Sequence, residues 1–321
     1  MLIVQKFGGS SLADLNDLRR AASLSAETRR RGQEPVLVVS AAGDSTDELL
    51  TLSREITARA SPRELDALLN TGEQRSAALM AIMLQSMGVA ARSFTGWQAG
   101  IHTDGQHAHA AIREIDTARL RESLAQGEVP VVAGFQGISP DGDLTTLGRG
   151  GSDTSAVALA AALEAERCEI FTDVDGIYTA DPRLVPEARL LPVIDCRDML
   201  SLARAGSQVL HPESVRLALA RRVELWLLSS FHAAPGTRLA LLPEEQRPAF
   251  AGVTRDAEAG TVTIVGRSVN RELLAHLEVL LQEAGIRAGC AQCGEGCASL
   301  TVAPAQQLSA LRVLHGLCLG E

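Results

Sequence analysis

The chain has 321 residues, a formal net charge of −9 and 46% hydrophobic residues, enough for a large α/β domain and a smaller one. Its acidity argues against a nucleic-acid or anionic-membrane surface, and 3% aromatic residues leaves few platforms for stacking bases. It has no apolar run of 18 residues and no secretory pattern at its start, and six cysteines in this length do not read as a disulfide framework, so a cytoplasmic protein without nucleic-acid or membrane partners is expected.

In chain order, β-branched runs predict strands over 2–7, 35–40, 89–94, 129–133, 168–174 and 223–228. Helical patterns fall between them, over 12–30, 47–58, 64–87, 117–125 and 152–166. Alternation of this kind predicts a mostly parallel sheet sandwiched by helices, with ligands at the C-terminal ends of the strands. The stretch 233–249 contains three prolines and little periodicity and reads as a linker. Beyond it, a strand, helix, strand, strand and helix are expected, a small α+β domain over 250–321. The catalytic part would then occupy 1–232.

Three strand-to-helix junctions are rich in glycine and small polar residues: KFGGSS (6–11), SAAGDSTDEL (40–49) and TTLGRGGSDTSAVALAAAL (145–163). Glycine lets backbone approach a ligand closely, and helix N-termini attract anions. The first junction holds Lys6, the only lysine among 30 basic residues, and the third holds Arg149. An ammonium is a compact charge where guanidinium is a wide fork, so the two are not interchangeable beside a phosphate. A polyphosphate ligand is expected. The lysine follows Gln5, not Gly, which excludes a Walker A loop. Asp153 stands where a dinucleotide fingerprint needs its last glycine. The protein-kinase signatures are absent. A pyridoxal phosphate enzyme would have to use Lys6 itself, at the end of the first strand.

The same segments, together with LNTGEQRSAAL (69–79), AGFQGISPDGDLTTLGRGGSDTSAVALAAAL (133–163), FTDVDGIYTADPR (171–183) and VLHPESV (209–215), resemble in order the motifs of the aspartate kinases, within the amino-acid-kinase superfamily. The resemblance runs from about residue 2 to 240. It implies the amino-acid-kinase fold with an ACT-like C-terminal domain. The implied reaction is transfer of the ATP γ-phosphoryl group to the β-carboxylate of L-aspartate, the first step of the aspartate-family amino-acid pathway. Such a transfer rests on positioning and charge neutralisation. By the resemblance, Lys6 stabilises the transferring phosphoryl group and Asp153 holds Lys6. Gly8, Gly9, Ser10, Gly150 and Gly151 line the phosphates. Glu73 takes the substrate ammonium, Arg149 its α-carboxylate, and Ser40, Thr46 and Ser152 add hydroxyls. Thr172, Asp173, Tyr178, Asp181 and Arg183 contact the nucleotide. With ATP, Mg²⁺ is expected on the phosphates, and the sequence shows no dedicated carboxylate cage, consistent with an ion held mainly by phosphates and water. The expected assembly is a homodimer.

Each of these residues also has a plain structural reading. Asp153 suits the first turn of any helix, Glu73 alone would be a solvated helix acid, and Tyr178 a core residue. His211 reads as a hydrogen-bonded residue at a helix start. The cysteines of CAQCGEGC (Cys290, Cys293 and Cys297) read as small hydrophobes rather than metal ligands. Asp44, where relatives often carry a basic or neutral residue, and Gln208, where many carry lysine, depart from the family pattern. The C-terminal region has room for one ACT-like module where the family usually has two. These departures keep two alternatives open: a superfamily kinase for another acidic amino acid or a phosphonate, and a non-catalytic aspartokinase-like subunit.

Overall fold

A computed structural model describes residues 1–294 and 296–319. Its contacts divide the chain into two compact units, Met1–Asp173 with Ala220–Ala234, and Val174–Leu219 with Pro235–Glu321.

The first unit opens with β1 (Leu2–Phe7), α1 (Leu15–Arg30), β2 (Glu34–Val39), α2 (Ser45–Ile56), α3 (Pro62–Ser86) and β3 (Ala91–Phe94). It continues with β4 (Ile101–Thr103), β5 (Ile112–Ile115), α4 (Ala118–Ala125), β6 (Val129–Ala133), β7 (Gln136–Ile138), β8 (Leu144–Thr146), α5 (Gly151–Leu163) and β9 (Arg167–Thr172). After β10 (Val193–Asp195), α6 (Cys196–Arg204) and α7 (Pro212–Arg221), the chain returns to this unit as β11 (Leu225–Ser229). Strands β11, β9, β1, β2, β6 and β3 lie side by side, and the pairings between them are parallel. Central strands buried on both faces need continuous apolar runs, as in EPVLVV and VPVVA.

Alternation along β1 decides what sits on each face. Phe7, with Leu37, Val39, Val131 and Phe171, packs into the cluster formed with Leu18, Ala22, Ala77, Met80 and Leu84 of α1 and α3. Lys6, one residue earlier, points to the other face, where α5 packs on β1, β2 and β9. Helix α5 is apolar nearly all round and buried along most of its length.

Helix starts follow local capping. The predicted helix over 12–30 begins instead at Leu15, because Asp14 Oδ1 accepts from the N–H groups of Asn16 and Asp17 at 2.7 and 2.9 Å. Ser10–Leu12 form a single 3-10 turn before it. Helix α3 starts two residues earlier than predicted, with Ser61 as cap and Pro62 in its first turn. A second sheet, β5–β4–β7–β8, was not among the predicted strands. Its members are three or four residues long, too short to show a period.

The second unit contains β10 paired in parallel with β12 (Thr237–Ala240), a strand inside the stretch expected to be a linker. It then has β13 (Gly252–Asp256), β14 (Thr261–Val265), α8 (Arg271–Glu283), β15 (Ala288–Gly294), β16 (Cys297–Val302) and α9 (Gln307–Leu319). The antiparallel order is β13–β14–β16–β15, an ACT-like module with one strand more than expected. That extra strand, GVTRD, is half polar and carries little strand signal. The leucine face of α8 (Leu274, Leu277 and Leu281) is covered from within the same unit, in a cluster with Val262, Ile264 and Leu300.

Leu84 of α3 is fully buried in the first unit's core. Leu84→Ala is expected to lower unfolding free energy by about 2–5 kcal/mol, read as a shift of the urea midpoint at unchanged slope.

Candidate active site

The ends of β1, β2 and β9 are neighbours, and the chain leaves each strand through bonds to the next. Gly8 N–H donates to Phe171 O at 3.2 Å, Ser40 N–H to Phe7 O at 3.1 Å and Gly134 N–H to Val39 O at 3.0 Å. This brings together Lys6, Gly8, Gly9 and Ser10 after β1, Ser40 after β2, and Thr172 and Asp173 after β9. Over them stands the first turn of α5, with Gly150, Gly151, Ser152 and Asp153.

Lys6 Nζ lies 2.6 Å from Asp153 Oδ1, with side chains only 11% and 13% exposed. The pair closes the gap between the sheet and the start of α5. Gly8 and Gly9 serve different needs. A Cβ on Gly9 would stand 2.9 Å from Ala41 O, so backbone packing alone demands glycine there. A Cβ on Gly8 would stand 3.5 Å from Lys6 Nζ, so its absence keeps the space before the ammonium open. The Gly9 N–H meets no acceptor among the described residues.

Gly150 caps α5 in the left-handed region at φ 68, which glycine adopts at no cost. Gly151 is packed so closely that a Cβ would fall 2.7 Å from the Phe135 ring. Ser152 is buried against Gly134. The first amides of α5 add the positive end of its dipole beside Lys6. Arg149 is exposed in the loop before the helix.

Glu73 sits in the middle of α3, 4% exposed. Its Oε1 accepts from Ala41 N–H at 3.0 Å, and its buried Oε2 has no partner among the described residues. Burial pushes its carboxyl up from 4.5 to about 7, against the pull of the Ala41 bond and the Lys6 charge. A buried acid with a free oxygen is prepared for a cation. No motif in the sequence marks the Ala41 amide, since a backbone donor leaves no trace in residue type. Thr46 lies in the first turn of α2, half-buried, with Asp44 at the N-cap position, exposed and making no capping bond.

Of the expected nucleotide contacts, Thr172 and Asp173 belong to the first unit, where Thr172 Oγ1 donates to Asp173 Oδ1 at 3.1 Å. Tyr178, Asp181 and Arg183 belong to the second. There Arg183 Nη2 lies 2.8 Å from Asp181 Oδ2, a pair that holds the Asp181 carboxyl below its ordinary range. Tyr178 is half-buried and bridges to Leu190. Gln208 is exposed in the same unit. His211 directly precedes α7, and its carbonyl accepts from Ser214 Oγ at 2.8 Å, as the structural reading has it. The side chain of Cys290 lies outside the described residues. Among those described, no three His, Cys, Asp or Glu side chains converge on a metal position.

The Glu73 geometry has a consequence for stability. Its folded value stands above its unfolded one, so its favourable contribution is complete below about pH 4.5 and is lost as pH rises through about 7. Glu73→Gln escapes that loss. The variant's gain in unfolding free energy over wild type is expected to be about 2 kcal/mol larger at pH 8 than at pH 5.5, measured by urea titration at both values.

Comparison with known proteins gives the family. The amino acid kinase family matches residues 1–229. An aspartokinase of Mycolicibacterium smegmatis is 48% identical over 270 residues, 83% of this chain and 64% of that one. An aspartokinase of Thermus thermophilus is 46% identical over 285 residues, 89% of this chain and 70% of that one. The crystal structure of aspartate kinase from Synechocystis superposes with a TM-score of 0.68 at 38% identity, covering 97% of this chain and 54% of that one. The chain thus spans between 54% and 70% of the length of these proteins. It belongs to the amino acid kinase family, among its aspartokinases.

Proposed function

We propose that the chain phosphorylates the β-carboxylate of L-aspartate with MgATP, giving 4-phospho-L-aspartate and ADP. The observation that carries this reading is that two features lie at the ends of the neighbouring central strands β1 and β2. One is an ammonium paired to a helix-start carboxylate before an open glycine. The other is a buried acid with a free oxygen on α3.

The reaction needs no general base, because the attacking carboxylate is already ionised. One of its oxygens forms a bond to the γ-phosphorus, the bond from that phosphorus to the bridging oxygen breaks, and ADP leaves with the electron pair. Charge accumulates on the transferring oxygens, and a fixed positive group there lowers the barrier most. Lys6 supplies it, held by Asp153. The free Gly9 amide and the first amides of α5 supply neutral donors to phosphate oxygens. The space that a Cβ on Gly8 would fill fits a phosphoryl oxygen.

Glu73 receives the α-ammonium, and pairing there would pull its raised carboxyl back toward the ionised form. Arg149 grips the α-carboxylate through two parallel bonds. Ser40, Thr46 and Ser152 orient the substrate. The two α-carbon charges fix which carboxylate reaches the phosphorus. Magnesium would ride on the phosphate oxygens, neutralising charge, since the described residues form no cage of their own for it. Thr172 and Asp173 stand at the strand end suited to nucleotide contact, and Tyr178, Asp181 and Arg183 are assigned to the nucleotide by motif. We assign the catalytic part, with all the proposed ligand residues, to 1–232 and the ACT-like part to 250–321, and the assembly as a homodimer.

The assay is turnover with MgATP across L-aspartate, L-glutamate, succinate and a phosphonate analogue of aspartate, with the acyl phosphate trapped as its hydroxamate. Aspartate alone is expected to give both ADP release and hydroxamate. Turnover of glutamate or the phosphonate in its place would assign another kinase activity, and no turnover of any would refute catalysis. Asp153→Asn is expected to lower kcat by about 10²-fold or more, with aspartate binding retained by calorimetry.

A further inference from the structure

Asp66, one face of α3 below Glu73, is a buried carboxylate that the reaction above does not use. It is 1% exposed, and five bonds converge on it. Thr146 Oγ1 donates to Oδ1 at 2.6 Å, and Thr146 N–H to Oδ2 at 3.2 Å. Ala108 N–H reaches both oxygens, at 3.2 and 3.0 Å. His107 Nδ1 lies 2.9 Å from Oδ2. A carboxylate with this many donors is a fixed anchor.

What it anchors leads to Arg149. Ala108 holds φ at 68, a left-handed conformation that is strained for a non-glycine residue and persists only when its surroundings enforce it. The Asp66 fork enforces it here. Ala110 N–H donates to Thr146 O at 2.9 Å, tying the 107–110 segment to β8. The chain then leaves β8 through Leu147, whose N–H donates to Phe135 O at 2.9 Å, into Gly148. Gly148 is so tightly covered that a Cβ would stand 2.8 Å from His109 Nδ1 and 3.2 Å from Ala108 O. Gly151 N–H closes the turn on Gly148 O at 3.0 Å. Arg149 stands between these two fixed points.

We infer that Asp66 is a positioning residue for the amino-acid substrate. Through Ala108 and Thr146 it fixes the floor of the 147–150 loop, and so the direction from which Arg149 meets the α-carboxylate. This rests on the assignment of Arg149 to that carboxylate. Asp66 itself touches neither substrate. A fixed base matters because a bidentate guanidinium tolerates little misplacement, and a shift of about 1 Å in a positioning group costs up to about 10²-fold.

The test is Asp66→Asn, which keeps the shape but turns one acceptor into a donor facing donors. Thr146→Val is a milder companion if the first variant folds poorly. KM for aspartate is expected to rise roughly tenfold or more, with KM for ATP and kcat within about threefold. In an Arg149→Ala background the added factor from Asp66→Asn should fall toward one, because both act through the same contact. Amide hydrogen exchange should quicken at 106–110 and 147–150 and not in β1. Equal losses for both substrates, or a full additive factor on top of Arg149→Ala, would overturn the inference. Wild-type protein that does not turn over aspartate would overturn the proposed function, and this role with it. In that case the exchange result still decides whether the clamp exists.

Discussion

The ion pair between Lys6 and Asp153 joins the first strand to the helix that covers it. Everything else at the site is arranged around that contact. The parallel pairing of β1 between β2 and β9 sets the height at which the lysine leaves the sheet. Side-chain alternation sends it toward α5, away from the core filled by Phe7. The left-handed glycine before α5 turns the chain so that the first helical turn faces back over the strand ends. Each side chain is almost removed from water, and removing either partner would strand a buried charge, at about 3–5 kcal/mol. A positive group held in this way is fixed before substrate arrives, which is what phosphoryl transfer asks of a protein.

Helix α3 supplies the other half of the site, by an unusual route for a helix packed on a sheet. One face is apolar and fills the core through Ala77, Met80 and Leu84. Along another run Asp66, Asn70 and Glu73, all buried. Asp66 is fully bonded, while Glu73 and Asn70 each keep an oxygen without a partner. Buried acceptors left in that state cost about 1–3 kcal/mol each. Stability is given up along this face where a ligand cation would restore it, the usual balance between folding and function in an enzyme cleft.

The sheet and the glycine-rich junctions are legible in the sequence because their causes are local. Parallel strands buried on both sides must be continuous apolar runs, and VLVV and VPVVA are such runs. The lone lysine before two glycines, and GRGGSD before an apolar helix, mark two junctions that the fold joins through the Lys6–Asp153 pair. The short strands β4, β5, β7 and β8 were not legible, since runs like IHT and QGI carry no period and form only through one another. Helix α1 starts three residues later than its apolar pattern suggests, because the Asp14 carboxylate caps it. Strand β12 reads as linker in sequence because prolines flank it. At the site, residue types could not reveal Ala41, which acts through its backbone, or Asp66, whose role depends on a loop 42 residues away in sequence. Motif resemblance assigned Glu73, but only the fold shows the burial that sets its proton affinity.

In the proposed reaction the ammonium of Lys6 acts on the transferring phosphoryl group, and Lys6→Arg isolates that role. Arginine keeps the positive charge but places a broad planar head where a compact one fits. The measurement is kcat at saturating aspartate and MgATP, alongside a thermal unfolding curve and aspartate binding by calorimetry. A loss of about 10³-fold or more in kcat is expected, with folding and aspartate binding retained. Near-normal kcat in a folded Lys6→Arg protein would contradict it.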